Sequence, residues 1–155
     1  MSAVTLEQAN TLISAILQRA RELNLRPMSV VVVEPGAIVK AFQKEDGSSM
    51  MRFEMAMGKA YASLALGRSS SLVLTRTEQR PIFMEFLFNA SERKIFAEGG
   101  GRLIRSAAGE VIGAVGVTGD SQEMDETLAA HGIHAAGLKI DEDLADLGPA
   151  VRLTN

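Results

Sequence analysis

Cysteine and tryptophan are absent from this chain of 155 residues, which has a single tyrosine, two histidines and four prolines. Without thiols, disulfides, thiolate metal sites and cysteine nucleophiles are excluded, so the fold must be held by packing alone. The same lack fits a reducing compartment, and a cytoplasmic location is expected. Long apolar runs are also missing. The opening "MSAVTLEQANTLISAILQRAREL" has no basic segment leading into an unbroken apolar stretch, because Glu7, Gln8, Asn10 and Gln18 interrupt it; a leader or membrane-spanning segment is not expected there. Positive charge is not in excess either. A net charge of −3 and a pI near 5.4 give no long-range attraction to nucleic acid or an anionic membrane, so neither is expected as a partner.

What is present is enough apolar content, 46%, for one core. Thr5-Leu6-Glu7-Gln8 has the spacing of a capping box. Leu6, Ala9, Ile13, Ile16, Leu17, Ala20 and Leu23 then recur at helical intervals, which predicts a first helix. In "MSVVVVEPGAIVKAF", two β-branched runs flank Glu34-Pro35-Gly36-Ala37, whose proline and glycine suit the centre of a type II turn. This predicts a hairpin of strands at 28–34 and 37–43. "SSMMRFEMAMGKAYASLALG" predicts a second helix, capped by Ser48 or Ser49 and stopped by Gly67. "SSSLVLTRTEQRPIFMEFLFNA" predicts a lead-in and a third helix with Pro81 in a first turn. "RLIRSAAGEVIGAVGV" predicts a second hairpin turning at Ala107-Ala108-Gly109, and "GDSQEMDETLAAHG" a last helix with Asp120 and Glu123 at capping-box spacing. Hairpins require antiparallel pairing, so the fold class is α+β. Residues 1–138 form a single domain in this reading, and 139–155 an acidic C-terminal arm.

Three glycines, Gly99 to Gly101, stand in "FAEGGGRLI". A phosphate loop needs a helix directly after it, and here a strand follows, in a spacing that fits no nucleotide-binding motif. Two readings stay open: a bend at a sheet edge, or a clearing where a ligand approaches the backbone. Lys59 lies on a small, mostly apolar stripe with Met55, Ala56, Ala62 and Ser63, and Arg52 is two turns back. Such a lysine either snorkels to solvent or sits pocketed, where it can act as an acid/base or anchor a carboxylate. Asp125 and Glu126 are adjacent and point to different helical faces, which excludes a simple carboxylate dyad. His131 and His134 share one face, but two ligands with no cysteine do not complete a metal site, and none is expected.

The ordered set "VVVEPGAIVKAF", "EDG", "MGKAYASLALG", "FAEGGGRLI" and "GEVIGAVGVTGDSQEMDETLAAHG" resembles the GlcG/HbpS-like haem-binding family, which also supplies the C-terminal domain of PduO-type corrinoid adenosyltransferases. The resemblance spans residues 5 to 138. It implies a central five-stranded antiparallel sheet flanked by helices in the order α-β-β-α-α-β-β-β-α, the third strand being short and near the glycine run. It also implies homo-oligomers and binding of haem or another tetrapyrrole. The first helix here contains no histidine, so it supplies no haem ligand, and no cofactor is required. The expected function is an oligomeric small-ligand-binding protein, the ligand a tetrapyrrole or a small anionic metabolite. Arg52, Met55, Lys59, Glu98, Gly99, Gly100, Gly101 and Arg102 are the expected ligand-binding residues. The alternative is a cofactor-free isomerase, tautomerase or lyase acting on a small carboxylic acid, with Lys59 or Asp125 as acid/base.

Overall fold

The structure, a computed structural model, describes residues 2–147. The first helix, α1, spans Leu6–Glu22 and starts where the capping box closes: Gln8 N donates to Thr5 Oγ1 and Thr5 N to Gln8 Oε1, both at 3.0 Å. The first hairpin joins β1 (Ser29–Glu34) to β2 (Ile38–Lys44). Its turn closes through Ala37 N and Glu34 O at 3.0 Å, with Gly36 at φ 86°. Then follow α2 (Arg52–Leu66), α3 (Ser70–Gln79) and α4 (Pro81–Ala90). The second hairpin, β3 (Gly101–Arg105) and β4 (Val111–Thr118), leads into α5 (Gln122–Ala135) and a 3-10 helix, Asp141–Leu147.

The strands form one antiparallel sheet in the order β2-β1-β4-β3. Both faces are covered, which explains why β1 reads as an unbroken valine run rather than an alternation. Val30 and Val32, with Val115 and Val117 of β4, face the layer built by α1 and α5, among Leu12, Ile16 and Leu128. Val31, Val33 and Ala114 face α2 at Ala56 and Ala60. Each large side chain sealed in this way contributes about 1.5–3 kcal/mol. A third cluster, around Val73, Met84 and Ile95, packs α3 and α4 beside α2.

The expected five-stranded sheet is corrected to four strands among the described residues. No separate short strand forms before β3: Gly99 N donates to the Gln122 side chain at Oε1 (2.8 Å), while Gly101, whose N–H donates to Ser70 Oγ (2.7 Å), is already the first residue of β3. The expected element order is corrected as well. The lead-in at 70–79 is a helix of its own, so the observed order is α-β-β-α-α-α-β-β-α. Pro81 causes the division, since the residue before a proline is driven out of helical geometry, and Arg80 sits at φ −136°, ψ 68°. Two caps also differ from expectation. Helix α2 has no side-chain cap, although Gly67 ends it in the left-handed conformation. Helix α5 is capped by Ser121, whose hydroxyl accepts from Met124 N, one residue beyond the predicted Asp120. Of the expected arm, residues 139–147 are tied to the domain by an antiparallel bridge between Arg105 and Lys139; residues 148–155 lie outside the described residues.

Candidate functional site

The sequence-predicted residues gather where α2 crosses the start of β3 and the end of β4. Gly101 and Gly116 are cross-strand partners in that hairpin. A Cβ on Gly101 would collide with the Lys59 carbonyl, and one on Gly116 with the Ala56 carbonyl. The missing side chains are therefore what lets the α2 backbone rest on the sheet. Gly100, at φ 129°, turns the chain into β3. Gly99, Gly100 and Gly101 are all buried, and the backbone clearing expected there is occupied by α2.

Lys59 does not snorkel. Its side chain and that of Asp125 are 3% and 2% exposed, and Nζ lies 3.1 Å from Asp125 Oδ2. The ammonium also donates to Val117 O at 3.0 Å. Asp125 Oδ1 accepts from Asp120 N at 3.0 Å. The pair thus ties α2, on one face of the sheet, to the first turn of α5, on the other. Burial pushes the Asp125 carboxyl up from its ordinary range, against the opposing pull of Lys59 and the Asp120 N–H.

Arg102, one residue past the glycines, takes the other carboxylate of the acidic dipeptide. Its Nε donates to Glu126 O at 3.1 Å, and its guanidinium lies 3.6 Å from Glu126 Oε1 and 2.8 Å from Glu142 Oε2. Lys59 and Arg102 therefore face separate carboxylates rather than one shared point. Arg52 Nη1 donates to Pro27 O (2.8 Å) and Thr118 O (3.1 Å), buttressing the loop before β1. Met55 is half-buried beside it on α2. The carbonyl of Glu98 accepts from the Ser70 hydroxyl. His131 and His134 are both exposed, and His134 Nε2 lies 2.8 Å from Asp143 Oδ2. Among the described residues, no group of three or more His, Asp or Glu side chains could hold a metal ion.

Beyond Arg102 opens a cleft of about 360 Å³, bounded by the α2–α3 corner, Glu126 and the start of the 3-10 helix. Arg68, Ser69 and Ser71 line it; sequence reasoning passed over all three. Their signal was present in "GRSSS", a helix-stopping glycine and an arginine followed by serines of the kind that favour helix starts. Gln122 was missed too, because nothing local announces that its amide will hold Gly99.

Comparison with known proteins extends these observations. The family model described as haem degrading protein HbpS-like matches residues 4–134. A 15.0 kDa protein from the dhaT–dhaS intergenic region of Citrobacter freundii is 30% identical over 129 residues, covering 83% of this chain and 89% of that protein. Two solved structures share the fold. The Klebsiella pneumoniae protein ORFY has a TM-score of 0.79 at 24% identity, over 88% of this chain and 92% of its own. A PduOC:haem complex has a TM-score of 0.78 at 23% identity, over 88% of this chain and 97% of its own.

Proposed function

The chain belongs to the haem degrading protein HbpS-like family, and we propose that it is an oligomeric, cytoplasmic small-ligand-binding protein whose ligand is a small anionic metabolite. One observation carries the choice of ligand. The cleft of about 360 Å³ beside Arg102 sits at the small end of the range for small-molecule sites, and it is walled by Arg68 and by carboxylates that face Arg102 and Arg105. A tetrapyrrole is the other ligand chemistry, supported by the fold shared with the PduOC:haem complex. Helix α1 supplies no imidazole to it. Assembly is supported by apolar side chains left outside on α4, Ile82 at 84% and Phe86 at 68% exposure.

Native mass spectrometry of protein purified from its source reads retained ligand and subunit number together. A retained mass other than haem, with no Soret shift on haemin titration, is the expected result. A Soret shift with haem retained would replace the metabolite by a tetrapyrrole. No retained mass and no thermal shift across a metabolite library would sink ligand binding altogether.

A second reading is favoured by the meeting of Lys59 and Asp125. A buried lysine against a carboxyl of raised pKa is the kind of arrangement that acid–base catalysis uses, as a cofactor-free isomerase, tautomerase or lyase on a small carboxylic acid would. Folded Lys59→Ala and Asp125→Asn variants that kept full turnover of an identified substrate would remove it.

A further inference from the structure

The cleft assigned to an anionic ligand has a wall of the wrong sign. Glu126, Asp141 and Glu142 line it, and like charges at short range repel such a ligand. The three acids are not held alike. Glu126 belongs to α5 and is fixed by Ser71, whose hydroxyl donates to its Oε1 at 2.6 Å. Asp141 and Glu142 open the 3-10 helix and reach back to β3 through their side chains. Asp141 Oδ1 accepts from Arg105 Nε at 2.7 Å, and Glu142 Oε2 from Arg102 Nη1 at 2.8 Å. The side chains of Arg105 and Arg102 are only 11% and 12% exposed. The carboxylates therefore front the cleft, and the guanidinium groups stand behind them.

These two carboxylates are the exchangeable part of the wall. The chain on either side is anchored independently: Lys139 bridges to Arg105, Ile140 is buried, and Asp143 Oδ2 accepts from Ile140 N and lies 2.8 Å from His134 Nε2. The Glu142 side chain is 61% exposed, and an ion pair so open to water has little net strength. Both side chains can turn outward while their backbone stays tied down. An incoming carboxylate offers the same guanidinium groups an equivalent partner. Because Asp141 and Glu142 are adjacent and engage both arginines together, the ligand that replaces the two of them carries two carboxylates.

We propose that Asp141 and Glu142 are a built-in competitor for the ligand, and that a small dicarboxylate binds by taking their places on Arg105 and Arg102. On exchange the wall turns from acidic to basic. A single carboxylate replaces one contact and leaves the other acid in its way, so the device also selects for two. This deepens the small-metabolite reading and rests on it.

The test is a titration of full-length protein, 15N-labelled at arginine, at low ionic strength, with malonate and succinate in parallel arms and acetate as the comparison. Saturable movement of the Arg102 and Arg105 Nε–H signals is expected with a dicarboxylate, and none with acetate at equal concentration. Asp141→Asn/Glu142→Gln should bind the dicarboxylate about tenfold more tightly, since apparent affinity is reduced by the fraction of time a site is free to bind. Glu7→Gln/Glu54→Gln removes the same charge from exposed positions elsewhere and should leave the affinity unchanged. Equal affinity of wild type and the Asp141/Glu142 variant, an equal gain in the Glu7/Glu54 variant, equal response to acetate, or no movement of these two arginine signals would each overturn the proposal. If native mass spectrometry shows a retained metabolite while the Asp141/Glu142 variant gains nothing, the competitor fails and ligand binding stands. If nothing is retained and no probe binds, the ligand-binding reading fails with it.

Discussion

The Lys59 ammonium and the Asp125 carboxylate, contributed by helices on opposite faces of one sheet, meet 3.1 Å apart with almost no exposure to solvent. Removing one partner of a buried pair strands the other charge, which costs about 3–5 kcal/mol. Lys59→Met is therefore expected to destabilise the domain by about that much, read as a fall in the urea midpoint. The double variant Lys59→Met/Asp125→Asn should lose clearly less than the sum of the two single changes. Additive losses would mean that the two groups are not coupled.

Acid and neutral pH should act on different carboxylates in opposite directions. Burial raises the Asp125 pKa from an ordinary 3.8, so its contribution is full below that value and is lost as pH rises through the folded-state value. The Ile140 N–H and then His134 lower the Asp143 pKa, so its contribution is present above 3.8 and disappears as pH falls. The stability difference between wild type and Asp125→Asn should thus shrink as pH rises from the acid side, whereas that for Asp143→Asn should shrink as pH drops. Melting curves of the three proteins from acid to neutral pH check both slopes.

Gly116→Ala would push a methyl group into the Ala56 carbonyl, which is helix backbone and cannot rotate aside. A loss of about 3 kcal/mol or more is expected, the upper end for overpacking. Calorimetry would show it as a large fall in melting temperature, and a change of only a degree or two would contradict the packing described here.

Arg105 holds the chain beyond α5 through two contacts, Nε to Asp141 Oδ1 at 2.7 Å and the backbone bridge to Lys139, while its Nη1 donates to Gly109 O in the β3–β4 turn at 2.9 Å. In Arg105→Met the backbone bridge remains but the side-chain bonds are gone. Faster hydrogen exchange at Lys139 to Asp143, with the protection of β1 unchanged, is the expected result.

Local chemistry made much of this fold legible. Thr5 and Gln8 are three residues apart and meet in the predicted capping box. Pro35-Gly36 and Ala107-Ala108-Gly109 turn the chain where their backbone preferences require. Pro81 stands in a first turn, as predicted, at the start of α4, but the lead-in before it is itself a helix, α3, a length of regular structure that its serine-rich start does not announce. The strand count failed for another reason. Whether the residues before Gly101 join the sheet depends on who takes their N–H groups, and that of Gly99 goes to Gln122, distant along the chain. Lys59 and Asp125 were each singled out, but spacing within a helix could not show that they touch, since 66 positions separate them. The cleft beyond Arg102 was illegible for the same cause: its walls come from three separate stretches of sequence.

The position of β1 at the middle of the sheet bears on how the chain is made. Its valine run has β2 as a neighbour almost at once, but its other side waits for β4, which begins at Val111. During synthesis, most of the polypeptide must leave the ribosome before that side is covered. A nascent chain therefore carries an open, β-prone edge for much of its translation, the condition under which sheets pair with the wrong neighbour. Helper chaperones, or slow decoding after Val111, would bear most heavily on this one protein segment.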